Sequence, residues 1–260
     1  MNILLNGILG HMGREVVKLC DNGYRSCHLA IGVDPCFVGD GGNIFKSFDE
    51  ITDTSGIDCI VDFSHHSATG ALLSFATASK LPVVVATTGH TQEEIDLIHK
   101  AASEIPVFYS GNMSLGIALL IELARTAALA MPEAEIEIIE KHHDRKLDAP
   151  SGTALMLANA ICEVRPEAYT NLGRSGHGKR TPDEIGIHSV RLGNIVGEHE
   201  VIIGTPNQTI TLKHEAHDRA LFAEGALAAA AFISGMPEGL YDMKSIIGET
   251  DKSSELSTVI

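Results

Sequence analysis

Residues 2–111 alternate short apolar runs with helical segments, and this alternation most limits the folds open to the chain. The runs are apolar at odd and even positions alike, as in strands that are covered on both faces of a parallel sheet. Thr91, followed by Glu94, predicts a capping box at the start of one helix. The predicted strands cover 2–6, 28–34, 58–64, 83–87 and 106–109, and the predicted helices lie near 13–21, 66–79 and 92–103. This βαβ rhythm predicts a parallel sheet flanked by helices.

The pattern changes after residue 114, where a second domain is predicted to begin. An apolar segment precedes a strand-like stretch, and a helix follows near Ser151. Three later segments alternate in polarity around a turn at Thr205-Pro206-Asn207, which predicts antiparallel strands. The segments are, in order, 114–131, 134–143, 186–193, 199–204 and 208–216. This half therefore has an α+β character.

The end of the chain is predicted to return to the first domain. An alanine-rich segment at 219–234 has a helical period, and the tail at 239–248 follows it. We therefore predict one domain made of residues 1–112 and 219–260, and a second made of 113–218.

A glycine-rich turn follows the first predicted strand. Gly7, Gly10 and Gly13 permit a tight turn and let backbone N–H groups approach a pyrophosphate at the positive end of the next helix. Asp34, 21 residues beyond Gly13 at the end of the second strand, stands where a carboxylate accepts hydrogen bonds from an adenosine ribose. These features predict a dinucleotide site, while a glycine-rich turn without any ligand is the structural alternative.

The residues after Asp34 bear on the choice of dinucleotide. A 2′-phosphate calls for an arginine or lysine there, but Pro35-Cys36-Phe37 follow instead. We therefore predict NADH as the preferred cofactor. NADPH stays possible, because Lys46 or His11 could reach a phosphate in the folded chain.

Composition and charge argue against several classes of protein. The formal net charge of −15 opposes attraction to nucleic-acid phosphates and to anionic membrane surfaces. No run approaches ~18 uninterrupted apolar residues, and the first residues lack the pattern of a secretory segment. Five cysteines without a C-x-x-C pair fit reduced thiols. We expect a cytoplasmic protein that binds neither nucleic acid nor membranes.

The densest chemistry lies at residues 140–154, where a strand ends, a loop turns and a helix begins. His142 and His143 are adjacent, so one can exchange protons while the other binds an anionic group. Lys146 adds a cation, and the hydroxyl of Ser151 together with backbone N–H groups at the helix start can bind a carboxylate. The predicted substrate is an anion.

Two other interpretations of this segment stay open. A purely structural one treats Ser151 as a helix N-cap and the histidines as solvated loop residues. A metal site is the other, because residues 142–144 and 214–218 combine histidines with carboxylates. Neither group has the helical i, i+4 spacing with a general-base Glu, so we predict no metal.

These motifs resemble the 4-hydroxy-tetrahydrodipicolinate reductase family, also called dihydrodipicolinate reductase, nearly from end to end. The most specific is H-H-x-x-K-x-D-A-P-S-G-T-A, which residues 142–154 match throughout. Further similar segments are the opening glycine loop, Asp62-Phe63-Ser64, Ala86-Thr87-Thr88-Gly89, Asn112-Met113-Ser114, Gly197-Glu198-His199 and Gly239-Leu240-Tyr241-Asp242-Met243.

The resemblance implies an α/β fold in which a Rossmann-type parallel-sheet domain binds the dinucleotide. A smaller α+β domain with an open mixed sheet would bind the substrate and form the oligomer. The implied reaction is the NAD(P)H-dependent reduction of 4-hydroxy-tetrahydrodipicolinate, a small cyclic dicarboxylate, to tetrahydrodipicolinate in diaminopimelate and lysine biosynthesis. The family is typically a homotetramer.

The resemblance also implies roles for individual residues. His142 matches a proton donor or acceptor and Lys146 a proton donor, while His143, Gly152 and Thr153 match positions that bind the substrate's carboxylates. The matching cofactor-binding positions are Gly7, Ile8, Leu9, Gly10, His11, Met12, Asp34, Ala86, Thr87, Thr88, Ser110, Gly111, Asn112 and Met113.

One departure from the family is His11, since the family loop usually carries arginine there. Members that use NADPH well usually have a basic residue beside the ribose acid, so both differences point to NADH. The rival hypotheses are a related NAD(P)-dependent amino- or keto-acid dehydrogenase and a non-catalytic dinucleotide-sensing module.

Overall fold

The structure, a computed structural model, describes residues 1–39 and 42–252. Its strands are β1 (Asn2–Asn6), β2 (His28–Val33), β3 (Ile44–Phe45), β4 (Cys59–Asp62), β5 (Val83–Val85), β6 (Pro106–Tyr109), β7 (Glu135–His142), β8 (Tyr169–Leu172), β9 (Glu184–Arg191), β10 (Gly197–Thr205), β11 (Gln208–Ala216) and β12 (Gly239–Tyr241). Its α-helices are α1 (His11–Asp21), α2 (Thr69–Ser79), α3 (Gln92–Ala102), α4 (Leu115–Ala130), α5 (Gly152–Val164), α6 (Ala220–Ile233) and α7 (Met243–Lys252).

The chain divides into two compact units. The first contains Met1–Ser114 together with the chain from Ala220 onward, and the second contains Leu115–Arg219. Each unit has its own sheet.

The first unit is built on a parallel seven-stranded sheet in the order β12-β6-β5-β4-β1-β2-β3. On one face, Leu4, Ile60 and Val83 pack with residues of α2 and α3. Alternation along the strands turns their neighbours to the opposite face, where α6 packs on β4, β5 and β6. There the rings of Phe108 and Phe232 meet edge to face, with centroids 6.4 Å apart.

The predictions for this unit are confirmed in type and order: each predicted strand and helix is present, and the sheet is parallel. The short strands β3 and β12 carried too little periodic signal to be predicted. The strand β12 pairs with β6 of the first unit's sheet. Several strands end earlier than predicted, and the polar residues just beyond β2, β4 and β5 lie at one edge of the sheet.

The second unit has a five-stranded sheet in the order β11-β10-β7-β9-β8. Helices α4 and α5 cover one face, and the core there includes Ile136, Ile138, Leu157 and Val201. The pairs β7–β10 and β10–β11 are antiparallel, so the predicted hairpin is confirmed. The sheet is open and mixed.

The segment at 186–193 runs opposite to the next strand, β10, as predicted, but it does not pair with it. Residues 186–191 belong to β9, which pairs in parallel with both β7 and β8. The reason lies in the connection, because α5 separates β7 from the following strands and returns the chain in the same direction. The strand β8 was not predicted.

Within the described residues, no helix combines the length and the apolarity that crossing a membrane would require.

The capping box at the start of α3 generates the first testable prediction. Thr91 Oγ1 accepts the Glu94 N–H at 3.3 Å, and Glu94 Oε2 accepts the Thr91 N–H at 2.8 Å. Thr91→Ala removes the cap and should lower the free energy of unfolding by about 1 kcal/mol in urea titrations. The loop variant Thr52→Ala should change it by less than about 0.5 kcal/mol. Equal effects of the two variants would show that the cap contributes nothing measurable.

Candidate active site

The glycine loop after β1 requires glycine at two positions. Gly7 has a φ of +82°, and a Cβ there would lie 2.5 Å from the carbonyl oxygen of Phe63. A Cβ at Gly13 would lie 2.1 Å from the carbonyl oxygen of Gly7. Both approaches involve backbone atoms, which cannot move aside as a side chain can. The tight turn predicted from the sequence therefore forms.

The loop leaves the N-terminus of α1 without a side-chain cap. Gly10 is the N-cap residue and has no side chain that could cap the helix. Its N–H donates to the carbonyl oxygen of Gly7 at 3.0 Å. Ile8 is buried, with its side chain against Gly32 of β2. His11 and Met12 begin the helix. An uncapped helix N-terminus attracts anions, because its N–H groups and its dipole both favour negative charge.

Asp34, directly after β2, fixes the loop. Its carboxylate accepts the N–H of Leu9 at 3.0 Å and that of Cys36 at 2.9 Å. The side chain is buried, yet a carboxylate offers about four acceptor sites, so these two bonds leave acceptor capacity. The predicted ribose acid and the predicted pyrophosphate loop are thus in direct contact.

A cavity of about 480 Å³ lies at the carboxyl edge of the first unit's sheet. Its lining includes predicted cofactor residues from three separate segments as well as residues that the sequence analysis did not assign to the site. The predicted ones are Met12, Ala86, Thr87, Thr88, Gly111, Asn112 and Met113, and the others are Phe63, Ser64, His65 and Phe222. Ligands of open parallel sheets bind at this edge.

A buried carboxylate supports the polar side of the cavity. Asp62, at the end of β4, accepts hydrogen bonds from Asn6 Nδ2 at 2.8 Å, Ser64 Oγ at 2.6 Å and Thr87 Oγ1 at 2.7 Å. Burial raises the pKa of Asp62, and these hydrogen bonds oppose the shift. The network orients Ser64 and Thr87 in the cavity wall. From the sequence, Asp62 was placed inside the predicted strand 58–64 and in a segment similar to the family, without a role in the site.

A second polar turn holds the remaining predicted cofactor residues. Ser110 Oγ donates to the carbonyl of Asn112 at 2.8 Å, and Asn112 Oδ1 accepts the N–H of Ser114 at 2.8 Å. These bonds fix the segment that contributes Gly111, Asn112 and Met113 to the cavity.

In the second unit, β7 places a glutamate and a histidine on its buried face. The strand alternates, with Ile136, Ile138, Glu140 and His142 all turned inward. Glu140 is fully buried, and its Oε2 lies 2.6 Å from Nδ1 of His142. An acidic residue at a core position of an alternating strand is the signal that could have identified Glu140.

Glu140 is also clamped by Arg191 of β9. The guanidinium donates to both carboxylate oxygens, at 2.8 Å and 2.7 Å. Oε1 additionally accepts the N–H of Ser151 at 3.1 Å. Burial by itself would raise the pKa of Glu140, but the hydrogen bonds from His142 and Arg191 outweigh it and hold that pKa well below its usual range. Glu140 is therefore ionised.

Ser151 links this carboxylate to a second buried histidine. Its hydroxyl accepts the N–H of Ala154 at 3.2 Å, as the N-cap of α5, and lies 3.0 Å from Nε2 of His199. Burial, and after it the charge of the nearby His142, lower the pKa of His199 to about 4. We call Glu140, His142, Ser151, Arg191 and His199 the Glu140 cluster.

His143 directly follows β7 and lies outside the Glu140 cluster. Arg219 NH2 is 3.4 Å from its Nε2, and its Nδ1 is buried with no hydrogen-bond partner among the described residues. Desolvation and then the charge of Arg145 lower the pKa of His143. A neutral ring that accepts from Arg219 through Nε2 carries its proton on Nδ1, which can then donate to a ligand.

Lys146 and the start of α5 complete the predicted group. Lys146 Nζ lies 2.9 Å from Asp148 Oδ1, and its charge also acts on His143 and His199. A Cβ built on Gly152 meets nothing within 4 Å, so there is open space beside the helix N-terminus. Thr153 follows in the first turn of α5.

The tertiary structure therefore brings the predicted residues into one group in each unit. Among the described residues, no group of three or more His, Cys, Asp or Glu side chains is arranged to hold a metal ion. The sequence analysis did not assign Glu140, Arg191 or His199 to the site. Arg191 and His199 come from strands distant in the sequence, and only the pairing of β9 and β10 with β7 places them beside Glu140.

The parallel sheet, the glycine loop and the cavity at the sheet's carboxyl edge define a dinucleotide-binding protein of the Rossmann class. Family models described as dihydrodipicolinate reductase, N-terminus, and dihydrodipicolinate reductase, C-terminus, match residues 1–113 and 116–247. The chain belongs to the dihydrodipicolinate reductase family, and it is an oxidoreductase.

Individual relatives extend over nearly the whole chain. The 4-hydroxy-tetrahydrodipicolinate reductase of Caldanaerobacter subterraneus subsp. tengcongensis is 43% identical, over 95% of this chain and 98% of that protein. The reductase of that name from Clostridium tetani is 41% identical, over 95% and 97%. The dipicolinate-bound dihydrodipicolinate reductase of Paenisporosarcina sp. TG-14 superposes with a TM-score of 0.78 at 25% identity, over 95% and 99%. Nothing in these comparisons favours the rival dehydrogenase or the sensing module.

The pKa of His199 generates a prediction about stability. Its folded value of about 4 lies below the ordinary 6.5, so the unfolded chain binds the proton first as the pH falls. The stabilisation is complete above pH 6.5 and declines towards pH 4. From about pH 7.5 to pH 5 the wild type should lose about 2 kcal/mol more unfolding free energy than His199→Gln.

Urea titrations at the two pH values provide the measurement. The exposed-histidine variant His28→Gln is the control and should keep the full wild-type dependence on pH. If His199→Gln lost as much stability on acidification as the wild type, another group would be responsible for the loss.

Proposed function

We propose that this chain reduces 4-hydroxy-tetrahydrodipicolinate to tetrahydrodipicolinate with NADH or NADPH, in diaminopimelate and lysine biosynthesis. The observation that carries the proposal is the arrangement at the end of β7. This part of the chain contains the His142 imidazole bound to a carboxylate, the ammonium group of Lys146, and the N-terminus of α5 with open space beside Gly152. Family membership over nearly the whole chain selects the reaction.

The first unit is proposed to bind the dinucleotide. The glycine loop and the uncapped N-terminus of α1, at Gly7 to Met12, would hold the pyrophosphate, and Asp34 would accept the ribose hydroxyls. Ala86, Thr87 and Thr88 and the turn from Ser110 to Met113 would line the nicotinamide end of the cavity. The bound cofactor supplies a hydride.

The second unit is proposed to bind the dicarboxylate. Backbone N–H groups at Gly152 and Thr153 would hold one carboxylate, because an N-terminus of a helix with open space beside it admits an anion. His143 would donate through its buried Nδ1. Ser151 acts in this proposal by orienting the turn, since its hydroxyl already bonds Ala154 and His199.

Lys146 and His142 are proposed to handle protons. The reaction consumes one hydride and one proton and releases the 4-hydroxyl as water, so a proton source near the ring is needed. Lys146 carries the proton towards the substrate, while His142, held by Glu140, exchanges protons through its other ring nitrogen. Two anchored carboxylates fix the geometry for both groups.

We also propose a cytoplasmic homotetramer that prefers NADH. All five cysteines are free thiols, which fits a reducing compartment. The preference for NADH is supported by the charge of Asp34 and by the absence of a basic side chain at positions 35–37 directly after it. A 2′-phosphate placed beside this carboxylate would be repelled.

A coupled assay tests the reaction and the proton-handling roles. The substrate is generated in place from pyruvate and aspartate semialdehyde by its synthase, and NADH or NADPH consumption is followed. Wild type should consume cofactor only with substrate, and Lys146→Ala and His142→Ala should lower kcat about 100-fold or more. The exposed controls Lys100→Ala and His99→Ala should retain wild-type kcat. Wild-type kcat in both site variants would refute the roles, and an inactive wild type would refute the reaction.

The cofactor preference is tested by comparing kcat/KM for the two cofactors. The wild type should favour NADH, and Asp34→Asn should shift the ratio towards NADPH by about tenfold, because the substitution removes one repulsive charge. The surface variant Asp49→Asn should leave the ratio unchanged. A wild type that favours NADPH would contradict this assignment.

A further inference from the structure

We infer that Glu140 is a positioning residue, which fixes the proton of His142 on Nδ1 and joins that ring to the carboxylate-binding turn at the start of α5. The inference rests on the proposed function and adds to it a residue that does not itself touch the substrate. It stands on the geometry of the Glu140 cluster.

The two oxygens of Glu140 serve two parts of the proposed site. Oε2 contacts Nδ1 of His142 at 2.6 Å, while Oε1 accepts the N–H of Ser151 at 3.1 Å. Arg191 donates to both oxygens and so prevents the carboxylate from rotating. A single rigid carboxylate therefore sets the distance between the proton-exchanging ring and the turn at Gly152 and Thr153.

The same contacts define the tautomer of His142. An ionised carboxylate is only an acceptor, so the Nδ1 that faces it must carry the proton. In the neutral ring Nε2 is then unprotonated and can accept a proton. A Cβ at residue 197 would lie 3.1 Å from this Nε2, so Gly197 keeps a side chain away from that edge of the ring.

The second unit contains a matched pair that lacks this arrangement. Glu137 lies on the same strand, three residues earlier and on the opposite face, and its Oε2 contacts Nε2 of His188 at 2.9 Å. Both side chains of that pair are partly exposed, and neither belongs to the proposed site. Glu137→Gln thus removes a β7 carboxylate from a histidine on β9 without altering the Glu140 cluster.

The decisive variant is Glu140→Gln. The glutamine is nearly the same size, but its amide can donate to Nδ1 and so favours the tautomer protonated on Nε2. We expect kcat to fall at least tenfold, with little change in KM for NADH. Glu140→Asp keeps the charge and should restore part of kcat. Glu137→Gln should match the wild type, with assembly state checked by light scattering.

Histidine ¹⁵N NMR gives a readout independent of turnover. Spectra are recorded at about pH 9, where ordinary imidazoles are neutral. The signals absent from His142→Asn identify His142. The wild type should show His142 protonated on Nδ1, and Glu140→Gln should shift it towards Nε2–H. An unchanged tautomer in Glu140→Gln, or an unchanged kcat, would overturn the inference.

Glu140→Gln leaves Arg191 without its carboxylate and could fail to fold. The double variant Glu140→Gln with Arg191→Gln removes both charges and should give the same tautomer change and loss of kcat. If the double variant folds and keeps the wild-type tautomer, the inference is wrong. The tautomer is read without substrate, so a wild type inactive in the coupled assay refutes the reaction and not the positioning role.

Discussion

The ion pair between Glu140 and Arg191 is the interaction on which the second unit's site depends. A fully buried carboxylate is costly unless it is paired, and here one guanidinium binds both of its oxygens. The remaining hydrogen bonds come from His142 and the N–H of Ser151. Strands β7 and β9 and the start of α5 are therefore tied together at one point. Moving any of them would leave a buried charge unpaired.

In the first unit, buried carboxylates also accept several hydrogen bonds, but the donors there are uncharged. Asp62 lies at the end of β4 and accepts hydrogen bonds from an amide and a hydroxyl at the ends of the neighbouring strands and from a hydroxyl two residues further along its own chain. Asp34 does the same for two backbone N–H groups. In both units, buried carboxylates order polar side chains at the ends of strands. This order is what a binding site requires, because groups that are already positioned lose little entropy when a ligand arrives.

Much of this organisation could be predicted from local patterns. Buried parallel strands are apolar on both faces, so β1, β2, β4, β5 and β6 were identifiable, and glycine is obligatory at Gly7 and Gly13 because backbone atoms occupy the space of a side chain. The parallel pairing of β9 with β7 and β8 was not predicted. Strand direction depends on the path of the intervening chain, and local alternation of polarity carries no information about that path.

The sequence by itself determined the glycine loop, the acidic residue after the second strand, the strand and helix order of the first unit, and the close spacing of the residues from His142 to Thr153. These are properties of neighbouring residues, expressed in spacing and periodicity. Only the tertiary structure decided that Arg191 and His199 stand beside Glu140, since β9 and β10 reach β7 through pairing between distant segments. The surroundings of two side chains were also decided by the tertiary structure. Hydrogen bonds from His142 and Arg191 keep Glu140 ionised against the effect of burial, whereas burial keeps His199 a neutral ring. Such surroundings cannot be derived from the residue type alone.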